Sequence, residues 1–439
     1  MSSSEATLSS PCNILISDRA GAVVLSSLFE SMGLVFSDVF PEGRNWQRRV
    51  LAKARKKLVN VVLVPTLKFD AGTLSTVAEL AGLGANIVVW GAIQAPSQSR
   101  QWIIERLLEQ NGAIICMDPA VVAVVCRLLS MRERILERGV RVRGARNSIH
   151  DRILAALEHA EISRGDKGGF GLTVDPKLGI KGEEMEQSLG SPLILATALA
   201  RLIESACPET GESYEIIRDS QALELILEPP RRILSEVVSK KILAAFGMSF
   251  PSEQLCQSPS EAARFAATID GPVVLKLVKP KLERKAEKGA VICDIEGKAA
   301  VRRAAQQLEG LNIMLGPPPA LGILTSEQVE TTCAIWVEMV DDADFGRIVR
   351  GGVGNRPAGP PSFVLKTPAR LEQVVRSTKQ RLHGFSHEAV LSLCRGIATF
   401  TQIVDFLGDR IERAEIHPMV ALEDRQEPLV LDALFTIAD

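Results

Sequence analysis

A lysine interrupts the apolar run Val273-Val274-Leu275-Lys276-Leu277-Val278. Alternation along a strand puts Lys276 on one face among apolar neighbours. Burying an unpaired ammonium is costly, so such a lysine either meets an anion or, on an edge strand, runs its stem along the surface to water. The stretch alone leaves both readings open. Other stretches carry weaker chemistry. Gly351-Gly352-Val353-Gly354 could line a phosphate, yet a hairpin needs glycine equally. His383 and His387 stand four apart, a metal-binding spacing on a helix, but the intervening Gly384-Phe385-Ser386 breaks the helical pattern. His150 and His159 have no matching cysteine or carboxylate and read as surface residues. The basic run 44–57 reads as a solvated helix face or a subunit contact. Asp18, in the turn Ser17-Asp18-Arg19-Ala20, reads as a helix N-cap. The eight cysteines lack any CxxC spacing and sit in apolar stretches, as reduced buried thiols do; they argue against a zinc site.

Hydropathy patterning supplies the elements that must hold these residues. In 13–130, five short apolar runs (13–17, 34–36, 61–65, 86–90 and 113–117) alternate with helical stretches closed at Gly33 or centred on 45–58, 70–82, 98–110 and 119–137. Buried strands separated by helices predict a doubly wound parallel sheet, hence an α/β domain over 13–137. Residues 138–230 read as a connector or helical insertion, with helices at 147–161 and 191–206 around a glycine-rich loop at 164–184. Residues 231–439 mix helices with strands without strict alternation, which indicates α+β. A hairpin is expected from 334–342 and 347–354 around the turn Asp342–Gly346, and a terminal antiparallel pair from 413–422 and 427–437.

The composition narrows the field. The 439 residues carry 51 basic and 53 acidic side chains, a net charge of -2 without the basic excess of a nucleic-acid binder. Aromatics are only 4%, too few for a base-stacking platform. No apolar run reaches the roughly 18–20 residues of a membrane span. Residues 1–12 lack the pattern of a secretory signal and read as a disordered tail. A cytoplasmic protein is expected.

The stretch 234–291 resembles the opening of the ATP-grasp domain of ADP-forming (NDP-forming) acyl-CoA synthetases, the acetate–CoA ligase family. That family opens with a helix, a glycine, a proline with a short strand, an alanine-rich helix, "G-P-V-V-L-K" and a "K-x-x-x-G" loop. Here the strand ends in Lys276 and the loop runs from Lys285 to Gly289. The stretch 342–355 is similar to the family's "D-x-x-F-G" hairpin, and 414–434 to its terminal "E-x-N-P-L … L-D-A" pair. The strand–helix order of 13–137, a flavodoxin-like sheet, is similar to the second ligase domain that precedes ATP-grasp in fused members.

The resemblance implies that Lys276, Arg284, Lys285 and Gly289 meet the phosphates of ATP, and that Glu415 and Asp432 hold Mg2+. It implies the reaction of a carboxylate, ATP and CoA to acyl-CoA, ADP and phosphate through a phosphohistidine. The departures are specific. Arg284 stands where the family has a relay histidine; a guanidinium can bind phosphate but cannot carry it covalently. His417 takes an asparagine position in the metal set, and imidazole suits magnesium poorly. The family's strand glutamate aligns with Ala334, with Glu338 further along the same strand. The turn at Ser17–Ala20 replaces "N-S-G-G" and has lost its phosphate-binding glycines. The CoA-binding domain and the "S-H-T-G" histidine have no counterpart, so CoA is expected to come only through a partner chain. Two readings follow: a synthetase subunit completed by a protein partner, or a non-catalytic ATP-grasp pseudoenzyme that serves as a scaffold, in a hetero- or homo-oligomer.

Overall fold

The computed structural model describes residues 14–129 apart from 17–18, 32–33, 35, 40–44, 56–59, 64–68, 92, 94 and 96; residues 140–142, 172–175, 179–181 and 198; and residues 233–438 apart from 281, 283–284, 331–332, 355–360, 379–380, 383 and 424. The chain forms two compact units, Met1–Thr210 and Gly211–Asp439.

The first unit holds a parallel sheet of β1 (Ile14–Ile16), β2 (Phe36–Val39), β3 (Asn60–Leu63), β4 (Asn86–Trp90) and β5 (Ile114–Cys116) in the order β2-β1-β3-β4-β5. That is the flavodoxin-like doubly wound order, as expected from the alternation of apolar runs and helices. The helices are α1 (Arg19–Ser31), α2 (Trp46–Ala54), α3 (Ala71–Gly82), α4 (Gln98–Gln110) and α5 (Pro119–Leu129). Side chains set the starts of α3 and α4: Asp70 accepts from the Thr73 amide at 2.9 Å, and Ser97 from that of Arg100 at 3.2 Å. The second strand falls at 36–39 rather than 34–36, and Leu34 packs as a buried residue ahead of it.

Further along the same unit, β6 (Val140–Val142), β7 (Leu172–Asp175) and β8 (Gly179–Lys181) form a small three-stranded sheet. The glycine-rich loop expected at 164–184 therefore contains a hairpin. Its short β segments flank Pro176-Lys177-Leu178, and abundant glycine masked them in the sequence. The helices expected at 147–161 and 191–206 lie outside the described residues, except that Ala198 is helical. The 1–12 tail, the Ser17–Asp18 turn, His150 and His159 are also outside them.

The second unit is built on two antiparallel sheets. The smaller has β9 (Glu253–Cys256), β10 (Val273–Val278), β11 (Val291–Ile295) and β12 (Gly322–Glu327) in the order β11-β10-β12-β9. It follows α6 (Glu236–Ala244), and one face packs on α7 (Pro259–Ala266) and α8 (Lys298–Met314). The larger contains β13 (Ala334–Asp342), β14 (Gly346–Val353), β15 (Phe363–Lys366), β16 (Ile411–Val420), β17 (Leu429–Val430) and β18 (Ala433–Ile437), with β15-β14-β13-β16-β17 in line and β18 also paired to β16. The expected hairpin and terminal pair are both present.

Two further helices complete this unit, α9 (Leu371–Thr378) and α10 (His387–Leu407). Contrary to the expectation from the sequence, α10 and its continuation to Arg410 are long and apolar enough to cross a membrane; most of that stretch is buried in the fold. It is a core helix, with Phe400 edge-on to Phe435.

Candidate active site

Strand β10 is central in its sheet, with β11 and β12 on either side, so Lys276 is not an edge-strand lysine. Leu275 and Leu277 point into the helix-covered core, which sends Lys276 to the opposite face. There Lys276 is 9% exposed, and its Nζ donates to Glu236 Oε1 at 2.9 Å and to the Leu431 carbonyl at 2.6 Å. The anion it meets is inside the chain.

Glu236 opens α6, one residue after the N-cap Ser235, where the helix dipole favours a carboxylate. Three ammoniums converge on it: Lys276, Lys240 at 3.1 Å, and Lys285, which also holds Asp432 at 2.9 Å. Lys240 in turn holds Glu253 at 2.7 Å. Burial opposes the Glu236 charge, but Lys276, Lys285 and Lys240 outweigh it and keep this carboxyl well below the usual range. Burial likewise works against the ammoniums of Lys276 and Lys285, yet their carboxylate partners raise both above the usual lysine value. Asp432 moves up, through burial first and then repulsion from Glu236. Glu253 also moves up, through burial.

A cavity of about 770 Å³ adjoins this network. Glu236, Leu277, Val278, Lys279 and Lys285 lie on its lysine-rich side; Trp336, Glu338, Arg413, Glu415, His417 and Asp432 also line it. Across the large sheet, Glu338 on β13 stands directly opposite Glu415 on β16. Like charges in register repel, and each carboxylate has an arginine that offsets this: Arg350 Nε lies 2.6 Å from Glu338, and Arg413 Nη2 lies 2.8 Å from Glu415.

The residues singled out in the sequence are distributed unevenly. Lys285, Glu415, His417 and Asp432 all line the cavity, whereas Lys276 sits one layer behind it. Gly289 closes the 285–289 turn at φ 68° and is no part of the lining; its conformation is what requires glycine. Arg284 and His383 lie outside the described residues. The trio Glu415, His417 and Asp432 is not assembled into a metal-binding group: among the described residues no three His, Cys, Asp or Glu side chains are placed to hold a metal ion. Asp432 is committed to Lys285 instead, and the His417 amide donates to the Asp432 carbonyl at 2.9 Å.

The glycines of β14 serve packing. A Cβ on Gly351 would lie 2.3 Å from the Trp336 carbonyl oxygen and 2.5 Å from Phe363 Cζ. Glu236, at the centre of the network, escaped the sequence reading because an acid after a serine cap is ordinary in a first helical turn. The available signal was its spacing: Glu236, Ser239, Lys240 and Leu243 fall on one helix face, and all four are buried.

Residues 226–437 match the family model of the ATP-grasp domain. The chain is 21% identical over 238 residues to the beta subunit of acetate–CoA ligase [ADP-forming] II of Pyrococcus furiosus, spanning 51% of this chain and 97% of that one. To the beta subunit of acetate–CoA ligase [ADP-forming] I of the same organism it is 28% identical over 201 residues, 46% of this chain and 78% of the relative. Among solved structures, the acetyl-coenzyme A synthetase 1 of Ca. Korarchaeum cryptofilum, in complex with coenzyme A and Ca-AMPCP, matches 50% of this chain and all of that chain at 21% identity and a TM-score of 0.44. Residues 226–437 are therefore an ATP-grasp domain, related to that of the ADP-forming acetate–CoA ligase beta subunits.

Proposed function

We propose that the cavity binds a magnesium–nucleotide and that the chain is the nucleotide-handling subunit of an ADP-forming acyl-CoA synthetase. The observation that carries this reading is the lining: Lys285 on one side and the facing carboxylates Glu338 and Glu415 on the other, around about 770 Å³. Triphosphates need ammoniums along one flank and a divalent cation along the other. Lys285, with Lys276 behind it, supplies the first. Magnesium is commonly held by one or two carboxylates plus the phosphates themselves, so the oxygen donors of Glu338 and Glu415 fit it without a third protein ligand. Bound there, the ion would draw charge from the phosphates. CoA and the phosphohistidine come from a partner chain, because Arg284 can grip a phosphate without forming the covalent intermediate.

Calorimetric titration of ATP with magnesium into the full chain tests the reading, and absence of binding heat ends it. The chain alone is expected to form no acyl-CoA from acetate, ATP and CoA; robust turnover would refute the partner requirement. A specific observation favours the scaffold alternative: Glu236 and Asp432 already satisfy Lys276 and Lys285 inside the chain. In that case nucleotide does not displace them, and the titration stays flat with and without magnesium.

A further inference from the structure

We infer that the Lys285 ammonium stands in for a divalent cation at Asp432, keeping the ion off that carboxylate in the ligand-free cavity until a ligand phosphate draws the lysine away. The inference rests on the nucleotide-site reading above and adds a regulatory contact to it. Lys285 Nζ lies 3.0 Å from Asp432 Oδ1 and 2.9 Å from Asp432 Oδ2, so the ammonium straddles both carboxylate oxygens. A metal ion held by the same oxygens would need the same place, and two cations at that range repel each other. Both side chains line the cavity, and the Asp432 side chain is 29% exposed, so an ion reaches the carboxylate once the lysine leaves it.

The contact is built to be exchanged at one end only. Lys285 also holds Glu236, which is sealed from water and shared with Lys240 and Lys276. The backbone of Lys285 is fixed as well, since the Ala290 amide donates to its carbonyl at 2.8 Å. A phosphate at this lysine therefore competes with the half-open Asp432 and not with Glu236. Asp432, once released, faces the Glu236 charge with Lys276 as the lysine left near it, and a divalent ion relieves that repulsion. The ion would find further donors at hand: the His417 amide donates to the Asp432 carbonyl at 2.9 Å, and Glu415, two residues before His417, lines the same cavity. Phosphate and metal ion then favour each other beyond their direct attraction, and the effect is reciprocal.

The test adds Mn2+ to the full chain and reads its binding by electron paramagnetic resonance at about pH 8, where protons compete little for a carboxylate. Lys285→Met removes the ammonium and should bind Mn2+ at least about tenfold more tightly than wild type. Adding Asp432→Asn to that variant should abolish the gain. Inorganic phosphate should raise the Mn2+ affinity of wild type, after allowance for the phosphate–Mn2+ complex in buffer, and leave that of Lys285→Met unchanged. Equal Mn2+ affinities in wild type and Lys285→Met, a gain that survives Asp432→Asn, or no phosphate effect in wild type would each overturn the inference. Titration of magnesium–ATP into wild type keeps this apart from the nucleotide reading. If ATP binds while the Mn2+ affinities are equal, the nucleotide site survives and the blocking role of Lys285 falls. If the full Mn2+ and phosphate pattern appears without ATP binding, the blocking role stands and the nucleotide reading falls. Should Lys285→Met fail to fold, Lys285→Gln, which keeps a donor for Glu236, takes its place, and should both fail, the phosphate effect in wild type decides.

Discussion

On one side of the cavity three lysines crowd a single carboxylate, Glu236; on the other, two carboxylates face each other and each holds one arginine. The first arrangement is sealed, with side-chain exposures of 2% at Glu236, 4% at Lys240 and 11% at Lys276. The second is more open on its arginine side: Arg350 and Arg413 are 35% and 39% exposed, over carboxylates that are 9% exposed at Glu338 and 23% at Glu415. Ion pairs of the sealed kind are costly to break from one side, because the abandoned charge stays buried. The more exposed pair, Arg413–Glu415, contributes little, because water replaces the lost partner. The lysine side thus holds its shape before a ligand arrives, and Glu415 on the carboxylate side can exchange its arginine for a cation at low cost.

The largest effect that distinguishes the two sides is expected at Glu236. Glu236→Gln leaves three buried ammoniums short of charge and should cost about 3–5 kcal/mol in urea unfolding. Its pH dependence gives a second handle. The Glu236 carboxyl is depressed in the folded chain, so its contribution is fully present above the ordinary value of 4.5 and is lost as the pH falls from there through the native value. The stability gap between wild type and Glu236→Gln should be level above pH 4.5 and narrow below it. A gap that does not change with acid would mean that the lysines do not hold this carboxylate.

Lys276→Met comes next. Lys276 stands behind Lys285 and off the cavity lining, so losing its charge should weaken ATP binding through that lysine, by no more than about one factor of ten, read by calorimetry. Through the lost ion pair to Glu236 the variant should also melt lower, though by less than Glu236→Gln, since Lys240 and Lys285 remain on the carboxylate. Lower stability with unchanged nucleotide affinity would make this side purely structural.

How much of this was legible beforehand varies with the kind of signal. The parallel sheet was readable because 86–90 and 113–117 are continuous apolar runs between helical stretches, and only β2 shifted along the chain. Lys276 declared itself because a charge in an apolar strand needs an explanation. Its partner did not, since Glu236 is 40 residues away and sequence period cannot report which face of a helix meets which strand. The same limit explains Asp432. Its spacing from Glu415 matched a family metal set, but spacing does not reveal that Lys285 reaches it first. Glu338 stood among candidates only as a misaligned residue, and the strand register brought it opposite Glu415.

Asp432→Asn asks to which side Asp432 belongs. As a partner of Lys285 it competes with phosphate for that ammonium, and removing its charge should strengthen inorganic phosphate binding without magnesium by about three- to tenfold. As a metal ligand it would matter only when the ion is present. A loss of affinity confined to titrations with magnesium would move Asp432 to the carboxylate side and restore its expected role.

The smallest change in stability is expected at Arg413, and it tests whether the carboxylate side is as open as it looks. Arg413 and Glu415 are two residues apart on one face of β16, and the arginine is 39% exposed, so its pair should contribute no more than about 1 kcal/mol to unfolding. Arg413→Gln leaves Glu415 facing Glu338 with one positive charge fewer. Repulsion between two in-register carboxylates then rises, and a divalent cation relieves it better than water does. The variant should therefore unfold nearly as wild type does in excess magnesium and slightly earlier in EDTA. The opposite result, a loss of several kcal/mol regardless of magnesium, would show that the arginines seal this side as firmly as the lysines seal the other, leaving the carboxylates no freedom to take up a metal ion.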